Sequence, residues 1–306
     1  MTPEPDAIVV RGLEKRFGSF RAVKAIDLTV RRGEIYGFIG ANGAGKSTTI
    51  KMLCGLLPPD GGRALVDGID VAADPESVKR RIGYMCQKFA LYGDLTAAEN
   101  IDFFGGVYGL DEDRLKSRRE ELFSILDLSN ASGTRADELP RGFQQRLALA
   151  CAVVHQPAVV FLDEPTAGVD PVQRRAFWDL IDSFSAAGTT VFVTTHFLDE
   201  AEYCRRIAFI AEGRIAAEDT PAGLKTLLSG RAMYEVRMDD PAGSLPAVRA
   251  LPGVLAAALF GVTLHVAIDA AADSGTLFGR LPGLAGFEPI PPTLEDVFLH
   301  IAGKPS

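Results

Sequence analysis

Apolar residues in this chain come in short runs, and between these runs they recur with helical spacing. Residues 8–40 predict strands, residues 62–71 ("GRALVDGIDV") predict a hairpin, and a helix is predicted from about Lys46 to Leu57. Residues 97–155 are mostly helical in pattern. Strand character returns at "AVVFLDEP" (158–165) and "TVFVTTH" (190–196), each followed by a helical pattern. Strands that alternate with helices predict the α/β class with a largely parallel sheet.

The pattern changes after about residue 220. Residues 233–302 predict the order β, α, β, β, short α, β, α, which is typical of a small α+β domain. We therefore expect a first domain over 1–220, with a helical subdomain at about 88–155, and a linker with an accessory domain over 221–306. The stretch 250–268 has no charged residue and is long enough to span a bilayer. However, alternating residues after Gly261 favour strands.

Composition narrows the class of protein. The chain has 306 residues, is 47% apolar and carries a net charge of −8, so we expect a packed globular core and no nucleic-acid partner. The N-terminal "MTPEPDA" has neither the basic start nor the apolar run of a signal peptide. The widely spaced cysteines form no C-x-x-C pair and suggest free thiols in a reducing compartment. They are Cys54, Cys86, Cys151 and Cys204.

A glycine-rich loop is the first candidate for chemistry. "GANGAGKST" (40–48) fits G-x-x-x-x-G-K-[ST] between an apolar strand and a helix. In such a loop, backbone N–H groups bind phosphate oxygens, Lys46 reaches the β- and γ-phosphates, and Ser47 ligates Mg²⁺. The alternative is a glycine turn with an exposed lysine. The predicted nucleotide-binding residues here are Gly40, Asn42, Gly43, Ala44, Gly45, Lys46, Ser47 and Thr48.

Two carboxylates follow the next apolar strand. "VVFLDEP" (159–165) ends in Asp163 and Glu164, and buried carboxylates at a strand end need a partner such as a metal ion. Asp163 is predicted to hold Mg²⁺, directly or through water. Glu164 is predicted to orient or deprotonate an attacking water. An exposed acidic turn is the alternative.

Together with "LPRGFQQR" (139–146), these motifs make residues 8 to about 220 resemble an ATP-binding-cassette (ABC) ATPase with a P-loop core. The resemblance implies that Phe17 stacks on adenine and that Gln87 in "IGYMCQ" senses Mg²⁺ and the attacking water. It implies that His196 contacts the γ-phosphate and that Asp170 in "AGVDP" lies at the dimer interface. Without it, these four residues would read as a core phenylalanine, a polar loop residue, a structural histidine and a helix cap.

The segment "LPRGFQQR" departs from the family pattern L-S-G-G-Q. Leu139 and Gly142 match, whereas Pro140 replaces serine, Arg141 replaces glycine and Phe143 replaces glutamine. In the family, two cassettes pack head to tail, so Gly142 is implied to face ATP in trans. The serine hydroxyl is absent, but a helix N-terminus still favours an anion. The substitutions are expected to affect how strongly ATP closes the dimer more than they affect the fold.

Further segments resemble exporter-type cassettes of the drug, lipid or polysaccharide kind. "FALYGDLTAAEN" (89–100) resembles the segment that meets a membrane subunit, and "PTLEDVFLHIAG" resembles the end of such cassettes, with threonine as a helix cap. The resemblance implies an Mg²⁺-dependent ATPase that powers multidrug-type export. The implied partners are a second cassette, for which a homodimer is favoured and a heterodimer is left open, and an integral membrane permease.

The permease would hold the chain at the inner, cytoplasmic face of the cell membrane. Two alternatives stay open at this point. One is a cassette that binds ATP but hydrolyses it weakly and acts as a regulatory half, which the altered "LPRGFQQR" favours. The other is an ABC ATPase without a transport role. The absence of a second cassette or a long coiled-coil insertion in this sequence argues against it.

Overall fold

The structure is a computed structural model that describes residues 6–87 and 90–302. The chain divides into two compact units between Thr220 and Pro221. The predicted mixed α/β class is confirmed, as is the order of elements predicted for residues 233–302.

The first unit contains two sheets. One is four-stranded and antiparallel in the order β2-β1-β4-β5, and the other is six-stranded in the order β10-β9-β3-β8-β7-β6. In the larger sheet only the pair β9 and β10 is antiparallel. The strands are β1 (Ile8–Phe17), β2 (Phe20–Val30), β3 (Ile35–Ile39), β4 (Gly61–Val66), β5 (Ile69–Asp70), β6 (Ile82–Met85), β7 (Val159–Asp163), β8 (Thr190–Thr195), β9 (Arg206–Ala211) and β10 (Arg214–Asp219).

The first unit also contains α-helices, several of which lie between β6 and β7 in the chain. They are α1 (Lys46–Leu53), α2 (Pro75–Arg81), α3 (Ala97–Val107), α4 (Glu112–Ile125), α5 (Arg141–Val153) and α6 (Pro171–Ala186). Local sequence explains several ends: Thr96 and Glu99 form a capping box at α3, and Asp111 caps α4. Helix α1 ends at Leu53, before the predicted Leu57, because Gly55 at φ +68° reverses the chain.

The parallel strands place the candidate chemistry at one edge. Strands β3, β7 and β8 are buried along their whole length, as expected for apolar strands covered on both faces. Their carboxyl ends meet at one edge of the sheet, so the residues that follow each strand become neighbours. The main core lies between the sheets and includes Ile8, Phe38 and Phe161.

The second unit is a four-stranded antiparallel sheet in the order β12-β13-β11-β14 with helices. Its apolar core includes Val236, Leu264, Val266 and Phe278. The expected connection near Pro221 contains a short helix. The elements are α7 (Pro221–Lys225), β11 (Arg231–Met238), α8 (Pro241–Arg249), β12 (Val254–Phe260), β13 (Thr263–Asp269), α9 (Ser274–Phe278), β14 (Leu284–Ile290) and α10 (Leu294–Ala302).

Strands β12 and β13 occupy the uncharged stretch 250–268, as the alternation predicted. Within the two described ranges, no helix has both the length and the apolar character needed to cross a membrane.

Candidate active site

The glycine-rich loop joins β3 to α1, and its glycines are required by space and by backbone conformation. Gly43 and Gly45 have φ values of +81° and +111°. A Cβ at Gly40 would lie 2.2 Å from the Ile210 carbonyl oxygen. No described side chain caps the first turn of α1, so the N–H groups of that turn remain to bind an anion.

Lys46 lies under this loop. It is only 5% exposed, which excludes the alternative of a solvated lysine. Its Nζ donates to the carbonyl oxygens of Gly40 and Ala41 at 2.7 and 3.2 Å and lies 3.4 Å from Glu164 Oε1. These contacts hold the ammonium group against the loop, next to the carboxylate of Glu164.

Oxygen atoms from three elements converge behind Lys46. Ser47 Oγ donates to Asp163 Oδ1 at 3.2 Å, and Thr194 Oγ1 donates to the same carboxylate oxygen at 2.7 Å. Mg²⁺ prefers oxygen ligands and binds proteins through one or two such groups together with substrate phosphates. The Ser47 hydroxyl and the Asp163 carboxylate, beside an anion-binding loop, therefore fit the predicted Mg²⁺ site.

Glu164 is the centre of the cluster. It is 8% exposed, which excludes an exposed acidic turn, and its φ of +50° lies in the left-handed region that non-glycine residues rarely adopt. Gln87 Nε2 donates to Glu164 Oε2 at 2.9 Å, and His196 Nδ1 lies 3.3 Å from that oxygen. With Lys46 at the other carboxylate oxygen, three predicted site residues meet on Glu164.

Thr194 fixes the backbone at this point, and sequence reasoning missed it. The Glu164 N–H group donates to Thr194 Oγ1 at 3.0 Å and to the Thr194 carbonyl at 3.1 Å. Thr194 therefore binds both carboxylate residues, Asp163 through the side chain and Glu164 through the backbone. The only sequence signal was a threonine that ends a strand beside the predicted His196.

A buried acid supports the loop around His196. Glu200 accepts hydrogen bonds from Thr166 and Thr195, the latter at 2.6 Å, and lies 3.4 Å from Arg174 Nε. Burial raises the pKa of Glu200. This network joins the segment after Glu164 to the segment after β8. The sequence "LDEAE" gave no sign of it, because adjacent acids usually mark a solvated surface.

A cavity of about 470 Å³ lies in front of the loop. Its lining brings together predicted residues from distant parts of the sequence. Phe17 is 51% exposed, so it is not a core phenylalanine, and Phe20 across the β1–β2 turn lines the same space. Phe20 was not predicted, although the symmetric "FGSF" was a signal. The predicted residues that line the cavity are Phe17, Asn42, Gly43, Gly45, Lys46, Ser47, Thr48, Gln87 and Glu164.

Gly142 and Asp170 are not part of this lining. Helix α5 begins at Arg141 with Pro140 at the N-cap, and a Cβ at Gly142 would lie 3.2 Å from Gln173 Oε1. Asp170 caps α6, since Oδ1 accepts from the N–H groups of Val172 and Gln173 at 3.1 and 3.0 Å. The alternative of a helix cap is therefore observed, and a role at a dimer interface stays a prediction.

The beginning of α5 is tied to the segment that follows Glu164. Arg141 Nη2 donates to the Ala167 carbonyl at 3.2 Å, and Gln145 Nε2 donates to the Pro165 carbonyl at 2.6 Å. These two bonds connect α5 to the backbone one and three residues after Glu164.

A buried amide, that of Asn100, helps to hold the predicted membrane-subunit segment, residues 89–100. Phe89 itself lies outside the described residues. Asn100 is fully buried and accepts from the Tyr92 N–H group at 2.9 Å. Tyr92 and Phe103 are 48% and 42% exposed, and their ring centroids lie 4.5 Å apart. Tyr92 of this segment and Phe103 of α3 thus present an aromatic surface to solvent.

Comparison with known proteins gives consistent results. The sequence model of the family described as ABC transporter matches residues 23–167. The chain is 49% identical over 224 residues to the probable multidrug ABC transporter ATP-binding protein YbhF of Escherichia coli (strain K12). This match covers 73% of the chain and 39% of YbhF, so the chain spans less than half of that relative.

A second relative matches along almost the whole chain. Identity is 38% over 314 residues to the daunorubicin/doxorubicin resistance ATP-binding protein DrrA of Streptomyces peucetius, covering 98% of this chain and 93% of DrrA. Among solved structures, the ATP-binding cassette MJ0796, a dimer in a post-hydrolysis state bound to ADP and Pi, matches with a TM-score of 0.64 and 26% identity. This match covers 70% of this chain and 98% of that one.

Proposed function

The chain belongs to the ABC transporter family of ATP-binding proteins, and on that premise we propose that it hydrolyses ATP to ADP and phosphate to power export through a separate membrane protein. The observation that carries the proposal is the convergence of Lys46, Gln87 and His196 on the buried Glu164. This arrangement supports a hydrolysing cassette over one that only binds ATP.

Hydrolysis of ATP requires that charge on the γ-phosphate be neutralised and that a water molecule be aligned with it. The N–H groups at the start of α1 and the Lys46 ammonium supply positive charge at the loop. Ser47 and Asp163 would hold Mg²⁺, which when bound neutralises charge on the β- and γ-phosphate oxygens. Phe17 and Phe20 offer apolar faces on which a base can stack.

Glu164 acts on the attacking water in this proposal. Its carboxylate accepts the proton from water, while Gln87 and His196 hold the carboxylate and contact the transferred phosphoryl group. The left-handed backbone of Glu164, fixed by Thr194, directs the carboxylate out of the sheet edge toward the cavity. A general base in such a position contributes about 10²–10⁴-fold to the rate.

A second copy of the chain is proposed to complete the site. The N-terminal turn of α5 is uncapped by any described side chain, so its N–H groups are free to bind a phosphate of a nucleotide held by the partner. Closure of the two copies would then act on Glu164 through the bonds from Arg141 and Gln145. Substitution of Gly142 by aspartate is expected to abolish ATP-dependent dimerisation.

The membrane partner is proposed to dock on the aromatic surface formed by Tyr92 and Phe103. We propose that it exports a compound of the drug, lipid or polysaccharide class. No predicted site residue falls within 221–306, so this unit is proposed to be an accessory, non-catalytic domain. A Tyr92→Ser, Phe103→Ser double variant should stop co-purifying with the membrane partner that the wild-type chain captures, whereas Val262→Ser, an exposed control, should still co-purify with it.

ATP binding and turnover test the core of the proposal. The wild-type chain should release phosphate from ATP only when Mg²⁺ is present, and Lys46→Ala should weaken ATP binding at least about tenfold, since a hydrogen bond between charged groups is lost. Lys51→Ala, an exposed lysine on the same helix, is the matched control. Unchanged ATP affinity in Lys46→Ala would contradict the assignment of the loop.

A further inference from the structure

The second unit contains a cavity that the proposed ATPase does not use. It has a volume of about 600 Å³, larger than the cavity at the glycine-rich loop. Pockets that bind small organic molecules usually have about 300–1,000 Å³ and apolar walls with a few polar groups. The walls of this cavity are mostly apolar and include Leu228, Met233, Val254, Ala256 and Leu299.

A buried histidine provides a polar group in the wall. His265 is 6% exposed, and its Nδ1 lies 2.9 Å from Asp296 Oδ1. The ring also stacks on Phe260, with centroids 3.9 Å apart. Since a carboxylate only accepts hydrogen bonds, Nδ1 carries a proton and the ring is fixed. Nε2 has no hydrogen-bond partner in the described part of the chain, which leaves it for a molecule in the cavity.

Arginines outnumber carboxylates among the described residues that line the cavity. Arg231 and Arg249 both line it, and each uses one nitrogen within the protein: Arg231 Nη1 lies 3.2 Å from His300 Nδ1, and Arg249 Nε donates to the Ala257 carbonyl at 2.9 Å. A guanidinium has five N–H donors, so donors remain on both side chains.

The one carboxylate among the described lining residues is already satisfied. Asp296 is 7% exposed and accepts from the Thr293 N–H group at 2.8 Å and the Thr293 hydroxyl at 2.7 Å, besides its contact with His265. It therefore offers little to a cation. The two arginines determine which charge the cavity favours.

We propose that this cavity binds an anionic amphiphile, a molecule with an apolar body and a carboxylate or similar head group. The apolar body lies against Met233, Val254 and Leu299. The head group accepts hydrogen bonds from Arg231 and Arg249. Two arginines beside an apolar wall complement this chemistry in both charge and polarity. All of the described lining residues belong to the second unit, so the site gives this unit a ligand of its own.

Calorimetric titration of the full chain with decanoate tests the proposal, with decyltrimethylammonium and decanol as probes of equal chain length. Decanoate should bind once per chain and at least about tenfold more tightly than decyltrimethylammonium. The carboxylate accepts hydrogen bonds from the arginines, which the cation cannot do, and one hydrogen bond to a charged group is equivalent to about tenfold or more in affinity. Equal affinity for the anion and the cation would overturn the assignment of the head-group site.

Two pairs of variants locate the binding. Ala256→Phe fills the cavity and should reduce decanoate affinity at least about tenfold by steric exclusion, whereas Leu259→Phe, exposed on the same strand outside the cavity, should not change it. Arg231→Gln should weaken decanoate binding about tenfold. Arg237→Gln, on the same strand outside the lining, is its control.

The unfolding midpoint of each variant separates local from global effects. If Ala256→Phe fails to fold, the comparison of Arg231→Gln with its control Arg237→Gln alone decides whether decanoate binds in the cavity. Decanoate binding that survives both Ala256→Phe and Arg231→Gln would overturn the proposal. The proposal would also be overturned if a second copy of the chain covers the cavity. In that case decanoate would not bind, and the chain would form a dimer that Ala256→Phe dissociates.

Discussion

Thr194→Val removes a single hydroxyl that binds the Asp163 carboxylate and the Glu164 backbone N–H group, while keeping the shape and β-branching of the side chain. Thr194 is fully buried, and its Oγ1 donates to Asp163 Oδ1 at 2.7 Å and accepts from the Glu164 N–H group at 3.0 Å. After the change, the Glu164 N–H group keeps the Thr194 carbonyl at 3.1 Å, and Asp163 Oδ1 keeps the Ser47 hydroxyl at 3.2 Å.

The main loss is one hydrogen bond to a charged acceptor, which contributes about 1.5–3 kcal/mol. If this free energy is lost at the transition state, kcat for ATP falls about ten- to a hundredfold, at 1.4 kcal/mol per decade. The apparent affinity for Mg²⁺ should fall as well, because the Asp163 carboxylate is less firmly held. Thr194→Ser, which restores the hydroxyl, should recover most of the activity.

Thr190→Val is the matched control. Thr190 lies at the other end of β8, is 1% exposed, and accepts from the Gly33 N–H group at 3.0 Å. Its loss should destabilise the fold by about 1–3 kcal/mol through the unpaired N–H group, with kcat unchanged. Steady-state phosphate release at saturating ATP and a titration with Mg²⁺ measure both variants. The reasoning is refuted if the kcat of Thr194→Val stays within about twofold of that of Thr190→Val.

Three further predictions concern the glycine-rich loop, the half-buried His155 outside the site and the start of α5. Gly40→Ala should lose ATP binding measured by calorimetry, because a Cβ would lie 2.2 Å from the Ile210 carbonyl; retained affinity would show that the loop can adjust. Burial lowers the pKa of His155 to about 4, so the neutral ring contributes stability above about pH 6.5 that is lost as pH falls toward 4. Urea unfolding should therefore show a steeper loss of free energy of unfolding over this range for wild type than for His155→Gln, and parallel curves would contradict this. Pro140→Ser restores a hydroxyl at the N-cap of α5 and should strengthen ATP-driven dimerisation about tenfold or more in sedimentation experiments; an unchanged dimerisation constant would show that this helix does not face the partner's nucleotide.

Sequence alone predicted the residues that follow apolar strands, and the reason is topological. In a parallel sheet the carboxyl ends of the strands share one edge, so the loop after β3 and the acids after β7 must lie near each other. The order of elements in the second unit was also predictable, because apolar and other residues alternate in its sequence after Gly261, although β13 itself is buried at five consecutive positions.

Contacts that depend on tertiary packing were not predictable. Gln87 and Glu164 are 77 residues apart in sequence, and nothing local indicates their hydrogen bond. The same is true of Glu200. Its acidic sequence neighbours suggest a solvent-exposed side chain, but the side chain is fully buried and accepts hydrogen bonds from threonine hydroxyls. The left-handed backbone of Glu164 is imposed by Thr194, whereas sequence propensity would place glycine or asparagine at such a position.

Comparison of Glu164→Gln with wild type tests the central claim most directly. The substitution keeps the size of the side chain and an oxygen that can accept from Gln87, but it removes the proton acceptor. With Mg²⁺ and saturating ATP, the rate of phosphate release should fall at least about a hundredfold, with ATP affinity within about threefold of wild type and with the ATP-bound dimer accumulating. A rate within about threefold of wild type would contradict the assignment of Glu164 as the general base.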